Sequence, residues 1–198
     1  MYRLRYVRIF FENEMNIIKT PIEGVVIVEP QVFGDSRGWF SESYNEGRYL
    51  SAGINARFVQ DNNSFSSFGV VRGLHFQMPP FTQAKLVSCL IGEVLDVAVD
   101  LRKGSPTYGK HVAVRLSAEN HRQLFIPKGM AHGFSVLSEK ALFSYKCDEL
   151  YHPEADGGIS LLDESLGIDW LVPKEKMILS DKDRKHPLLR DFESPFEK

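Results

Sequence analysis

Apolar and polar residues alternate with a period of two through the middle of the chain. In Leu95-Asp96-Val97-Ala98-Val99-Asp100-Leu101 the odd positions are all apolar and two of the even ones are acidic, which predicts a strand with one buried face. Residues 111–116 continue the theme, with Val112, Val114 and Leu116 on one side. Ala141-Leu142-Phe143-Ser144-Tyr145-Lys146-Cys147 puts Phe143, Tyr145 and Cys147 on a shared face. Gly92-Glu93, Lys103-Gly104-Ser105-Pro106 and Pro127-Lys128-Gly129 break the runs with turn chemistry. Many short strands punctuated by Gly and Pro predict an all-β antiparallel barrel or sandwich. Helical signal is thin: residues 46–52 fit a short helix and 174–177 one turn. No internal repeat or low-complexity linker is visible. From residue 153 onward the chain is richer in Pro, Asp and Lys, and is expected to wrap the barrel rather than form a second domain.

Composition narrows this picture. A chain of 198 residues with 43% hydrophobic residues suits one domain with a sizeable core. A net charge of -2 argues against a broad nucleic-acid-binding face, although it leaves room for a local cationic pocket. Cys89 and Cys147 have neither metal-site spacing nor a disulfide-rich context, so a reduced, cytoplasmic protein is expected. No apolar run is long enough to cross a bilayer, and no membrane partner is expected. Residues 1–15, MYRLRYVRIFFENEM, mix basic and aromatic residues and lack the apolar core and cleavage site of a secretory signal. They read as an N-terminal extension, either an extra strand or an upstream translation start with Met15 as the usual beginning, ahead of one domain over 16–198. Asn62-Asn63-Ser64 matches a glycosylation acceptor, which without a signal peptide is taken as chance.

The unusual segment is Val71-Arg72-Gly73-Leu74-His75-Phe76-Gln77, since Arg, Gly and His are odd content for a core strand. Lys85 opens another apolar strand, and Pro127-Lys128-Gly129-Met130-Ala131-His132-Gly133-Phe134 sets a second His just after a turn. A small barrel whose inward face carries His, Lys, Arg and Tyr lines a pocket, because such groups are costly to bury without partners. Each residue also has a plain reading. His132 can be a hydrogen-bonded structural residue, Lys85 and Arg72 rim charges, Tyr145 a core residue with a tied hydroxyl, and the glycines beside the histidines simple turn residues. The joint arrangement favours the pocket. The spacing also resembles the two cupin motifs, which implies a cupin-like jelly-roll β-barrel with a few short helices. The first motif would read His75-Phe76-Gln77 and lacks its second His, while His132 fits the later position. So depleted a ligand set predicts no catalytic metal and no cofactor, with the chemistry left to side chains.

A more specific resemblance joins these segments. Phe33-Gly34-Asp35-Ser36-Arg37-Gly38-Trp39-Phe40-Ser41-Glu42, Val59-Gln60-Asp61-Asn62-Asn63-Ser64, Arg72-Gly73-Leu74-His75-Phe76-Gln77 and Ile126-Pro127-Lys128-Gly129-Met130-Ala131-His132-Gly133-Phe134 occur in order and resemble those of the dTDP-4-dehydrorhamnose 3,5-epimerases. Tyr145-Lys146, Tyr151-His152-Pro153-Glu154 and Leu179-Ser180-Asp181-Lys182-Asp183 extend the match over residues 16–184. The resemblance implies a dTDP-4-keto-6-deoxyhexose as substrate. It implies His75 as base, Asp183 as the partner of its imidazole with Asp181 ranked second, Lys85 at the oxyanion and Tyr145 as the opposed acid. It further implies that Arg72 helps hold the diphosphate near the sugar and Arg37 another part of the nucleotide, and that Glu42, Gln60 and Asn62 line the site. Phe33 and Tyr151 would flank thymine, His132 would lie near the sugar, and Arg184 would be among the binding residues. A homodimer is implied too, with strands near the N-terminus crossing to the partner sheet. Three alternatives stand beside it: an epimerase acting at C3 or C5 only, a non-catalytic sugar-nucleotide binder, and a metal-dependent cupin enzyme. The joint presence of His75, Lys85, Tyr145 and Asp183 argues against the binder, and the missing second His against the metal enzyme.

Overall fold

The computed structural model describes residues 7–9 and 15–198; the rest of the stretch read as an N-terminal extension lies outside the described residues. In chain order the strands are β1 (Val7–Ile9), β2 (Asn16–Lys19), β3 (Val26–Glu29), β4 (Val32–Asp35), β5 (Gly38–Ser41), β6 (Gln60–Ser67), β7 (Val71–Gln77) and β8 (Lys85–Ile91). They continue as β9 (Glu93–Asp100), β10 (His111–Ser117), β11 (Gln123–Ile126), β12 (Met130–Val136), β13 (Lys140–Cys147) and β14 (Asp156–Gly158). One short helix, α1 (Glu46–Ser51), falls where the sequence predicted one, its first turn capped by Asn45, whose side chain accepts from the Arg48 N–H. The turn expected over 174–177 is a 3₁₀ turn at Lys174–Lys176. Among the described residues no helix is long and apolar enough to cross a membrane.

Two antiparallel sheets pack face to face as a jelly roll. The larger runs β1-β2-β3-β11-β8-β13-β6, the smaller β10-β9-β12-β7-β14, and β4-β5 forms a separate hairpin. The sheets are not hydrogen-bonded into one closed cylinder, so the space between them opens at an edge. Val112, Val114 and Leu116 of β10 face inward as their alternation predicted, and meet Val87 of β8 and Phe143 of β13 in one buried cluster. Phe134 and Phe143 stack across the interior with centroids 4.2 Å apart.

Strand β9 departs from its sequence reading. The alternation predicted one buried face, but both are buried. Leu95, Val97, Val99 and Leu101 pack under Ile159 and Trp170 of the segment that follows β14. That cover is pinned by Ser135, whose hydroxyl donates to the Trp170 carbonyl at 2.6 Å. The other face, with Val94 and Ala98, is barrel interior, and it carries Asp96 and Asp100 inward at 0% exposure. A buried carboxylate needs donors; Asp100 is fully supplied, while Asp96 is met on one oxygen and its Oδ2 is buried without a partner. Asp96 meets His132 Nε2 at 2.8 Å. Asp100 accepts from the Arg102 guanidinium at 2.9 Å, Ser105 Oγ at 2.6 Å and Thr107 Oγ1 at 2.7 Å.

Burial alone would raise the Asp100 pKa, yet these donors outweigh it and bring it down to about 2. A carboxylate more acidic in the folded state than in the unfolded chain stabilises the fold above the unfolded pKa. The contribution disappears as pH falls through the folded value. Asp100→Asn should therefore cost about 2–3 kcal/mol at pH 7, and the gap to the parent should narrow as pH falls towards 2. Urea unfolding at several pH values measures this; a gap that does not change with pH would contradict it.

Candidate active site

The wall of the open edge is laid out by strand register. Cys147 of β13 pairs with Gln60 of β6 on one side and Lys85 of β8 on the other. Two residues away, Tyr145 pairs with Asn62 and Val87. Residues two apart share a face, so Gln60, Asn62, Tyr145, Cys147 and Lys85 project together from the larger sheet, continuous with the core at Val87.

The facing sheet supplies His75, and a bulge sets its orientation. His132 pairs with His75 and Phe134 with Arg72, so three steps along β7 match two along β12. The extra residue turns Arg72 to the same face as His75, where strict alternation would put them on opposite faces. Gly73 and Gly133 make this fit possible. A Cβ on Gly73, where φ is +137°, would fall 2.6 Å from Gly133 Cα, and one on Gly133 would fall 2.6 Å from the Arg72 carbonyl oxygen. These two glycines are mid-strand contacts, not the simple turn residues of the plain sequence reading.

His75 Nε2 lies 2.7 Å from Asp183 Oδ1, while Asp181 is exposed, so Asp183 is the neighbour of the imidazole. Burial opposes charge on Asp183, but the His75 hydrogen bond and charge, with Ser180 and His186, hold its carboxyl below the usual range. As an ionised acceptor it takes the Nε2–H and leaves the lone pair of the neutral ring on Nδ1. Across the cleft, Lys85 Nζ is 6.0 Å from the centre of the Tyr145 ring. Burial pushes the Lys85 ammonium pKa down, partly offset by Cys147, Asp156 and Asp96. Burial likewise raises the Tyr145 phenol above its ordinary value, against the nearby Arg72 charge, so the phenol keeps its proton. The cleft measures roughly 410 Å³, in the range of small-molecule sites.

The predicted site residues do not all reach the cleft. His75, Lys85, Tyr145, Gln60, Asn62 and Tyr151 line the cleft, with Asp183 behind His75. Arg72 reaches along the rim and donates to Ser66 Oγ at 3.1 Å. His132 lies beneath the floor, 7% exposed and bound to Asp96. Phe33 and Arg37 sit on the β4-β5 hairpin in a patch of their own, where Arg37 pairs with Asp35. Glu42 pairs with Arg48, and Arg184 is exposed away from the cleft wall. Within one chain these last four do not reach the cleft.

Sequence reasoning missed several wall residues. Gln77 donates to the Phe81 and Leu150 carbonyls and accepts from the His152 N–H, fixing the loop before Tyr151. Lys182 pairs with Asp156 at the cleft margin. Cys147 was legible from the period-two pattern it shares with Tyr145, but a buried thiol carried no chemical signal. Behind the wall, His186, edge-on to His75 with centroids 5.7 Å apart, had none either.

Comparison with known proteins bears on all of this. The family model described as dTDP-4-dehydrorhamnose 3,5-epimerase matches residues 19–191. The chain is 52% identical over 179 residues to the dTDP-4-dehydrorhamnose 3,5-epimerase of Methanothermobacter thermautotrophicus, covering 90% of this chain and 96% of that one. It is similar to the crystal structure of that enzyme from Elizabethkingia anophelis, with a TM-score of 0.87, 53% identity, and 90% and 98% of the two chains covered. It is equally similar to a dTDP-6-deoxy-D-glucose-3,5-epimerase from Legionella pneumophila solved with dTDP-4-keto-L-rhamnose, with a TM-score of 0.87, 54% identity, and 90% and 95% covered. With the fold, the cleft and the ordered motifs in agreement, the chain belongs to the dTDP-4-dehydrorhamnose 3,5-epimerase family.

Proposed function

We propose that this cleft inverts both carbons flanking the ketone of dTDP-4-dehydro-6-deoxy-D-glucose by proton transfer between its two walls, giving dTDP-4-dehydro-L-rhamnose. The observation that carries the mechanism is placement: His75 stands on one sheet, Tyr145 and Lys85 on the other, with the cleft between. The C4 ketone acidifies the hydrogens on C3 and C5. His75 Nδ1 takes one of them, and the C–H electron pair moves to the ketone oxygen. Lys85 Nζ–H groups hold that oxyanion, which is worth most in a partly desolvated site. The Tyr145 O–H then gives its proton to the carbon from the opposite face, closing the C=O again with inverted configuration. Solvent reprotonates the tyrosinate and accepts the imidazolium proton, and the cycle repeats at the second carbon. Asp183 fixes the tautomer and stabilises the imidazolium. The single-centre reading is less favoured, because the relatives that match this chain so closely are named as 3,5-epimerases. Turnover in heavy water with the 4-keto-6-deoxyglucose nucleotide should leave one deuterium at C3 and one at C5. A label at one carbon alone would contradict double inversion.

The thymidine diphosphate end needs more than one chain provides. Phe33, Trp39 and Phe40 on the hairpin are 55%, 62% and 68% exposed. So much apolar surface at one tip marks a contact surface. In this reading the protein is a homodimer in the cytoplasm, and the hairpin of one copy brings Phe33, Arg37 and Glu42 to the other copy's cleft beside Tyr151 and Arg72. Arg37→Ala should then lower kcat/KM about 10–100-fold, mainly through KM. Mixing unfolded Arg37→Ala and His75→Ala chains and refolding them together should restore about a quarter of parental kcat/KM, since half the dimers are mixed and each has one intact site. No gain over the separate variants would place Arg37 in its own chain's site.

A further inference from the structure

Behind the cleft three side chains bring metal-ligating atoms together. His75, Asp183 and His186 each offer one such atom, all within 4.8 Å of one another. His75 Nε2 is 2.7 Å and His186 Nε2 4.0 Å from the same Asp183 oxygen. A tetrahedral zinc ion with bonds of about 2.0–2.2 Å spaces its ligand atoms about 3.3 Å apart, between those two distances. His186 Nε2 is buried and has no hydrogen-bond partner. Its ring sits over Gly158, where a Cβ would fall 2.7 Å from that nitrogen, so the glycine is what lets the ring reach Asp183. A buried polar nitrogen without a partner is uncommon, and an imidazole beside a carboxylate and a second imidazole presents the donor set zinc prefers.

We propose that His75, Asp183 and His186 form an inhibitory binding site for a divalent transition cation, zinc foremost, superimposed on the His75–Asp183 pair. The cation replaces the proton between His75 Nε2 and Asp183, and that proton leaves to solvent. His186 supplies the third ligand, and a water would complete the tetrahedron. With the ring bound to a cation and the Asp183 charge consumed, Nδ1 loses the basicity that proton abstraction needs. The inhibitory consequence rests on the reading of His75 as base; the binding itself does not. His186 lies outside the cleft lining and takes no part in the proton transfers above.

The test uses full-length enzyme stripped with a chelator and then dialysed. Titration with zinc chloride in a calorimeter should show one ion per chain, and cobalt chloride should give the visible absorption of a low-coordinate site. Turnover should fall with zinc and return when EDTA is added. His186→Gln should keep the parental melting temperature and, whatever its metal-free rate, should need more than about 100-fold more zinc to lose half of that rate. His75→Ala, inactive in any case, should lose the calorimetric signal. Absence of zinc binding to the parent, or equal zinc sensitivity in His186→Gln, overturns the proposal and leaves the base assignment untouched. Zinc that binds through His186 while turnover stays normal overturns the inhibition and the assignment of His75 together.

Discussion

The backbones of β7 and β12 meet at Gly73 and Gly133 more closely than any side chain would allow. The site depends on that contact. The bulge it accommodates turns Arg72 and His75 to one face of β7, so a guanidinium and an imidazole stand on the same side of the sheet. A Cβ at either glycine would have to push against main chain, which cannot rotate away as a side chain does. The orientation of His75 is thus fixed by backbone packing two residues from it, and by Asp183, which arrives from a 3₁₀ turn more than a hundred residues later.

Inversion at carbon sets the second requirement, because the proton must leave on one face and return on the other. In the proposed mechanism two facing sheets meet it directly: one carries His75 as the base, the other Tyr145 as the acid and Lys85 at the oxyanion. Burial then tunes the acid side, raising the Tyr145 phenol so that it holds a proton to give. Beneath the floor, Asp96 bound to His132 places a carboxylate within range of Lys85, whose charge it supports against desolvation. His132 is better described as part of this support than as a wall of the cleft.

Strands β10 and β13 were legible because their alternation is a local signal and each contributes one inward face. The inward set of β13 named Tyr145 and Cys147 correctly. Strand β9 was only half legible: which residues share a face is local, but the cover over its second face comes from a segment some sixty residues away, and no pattern within β9 announces it. Gly73 could be noticed but not explained, since a bulge is a two-strand property and Gly133 lies sixty residues along the chain. The family resemblance named His75, Lys85, Tyr145 and Asp183 before any geometry did. It also named Phe33, Arg37 and Glu42, which a single chain leaves outside the cleft. His186 carried no sequence signal, and Lys182 only its place in the motif around Asp183, because their contacts with Asp183 and Asp156 are made by the fold.

The central claim is that base and acid act from opposite walls, and the most direct measurement is solvent-deuterium exchange by Tyr145→Phe. This substitution leaves His75, Asp183 and Lys85 in place and removes only the phenolic proton. The enolate should still form and should recover a proton from the imidazolium on the original face. The variant should then wash deuterium into the substrate with retention, while net inversion falls about 10²–10⁴-fold, the usual worth of a general acid. His75→Ala, measured alongside, should neither exchange nor invert. Inversion of both centres by Tyr145→Phe at near-parental rate would contradict the account, since the proton would then reach the far face from some other group.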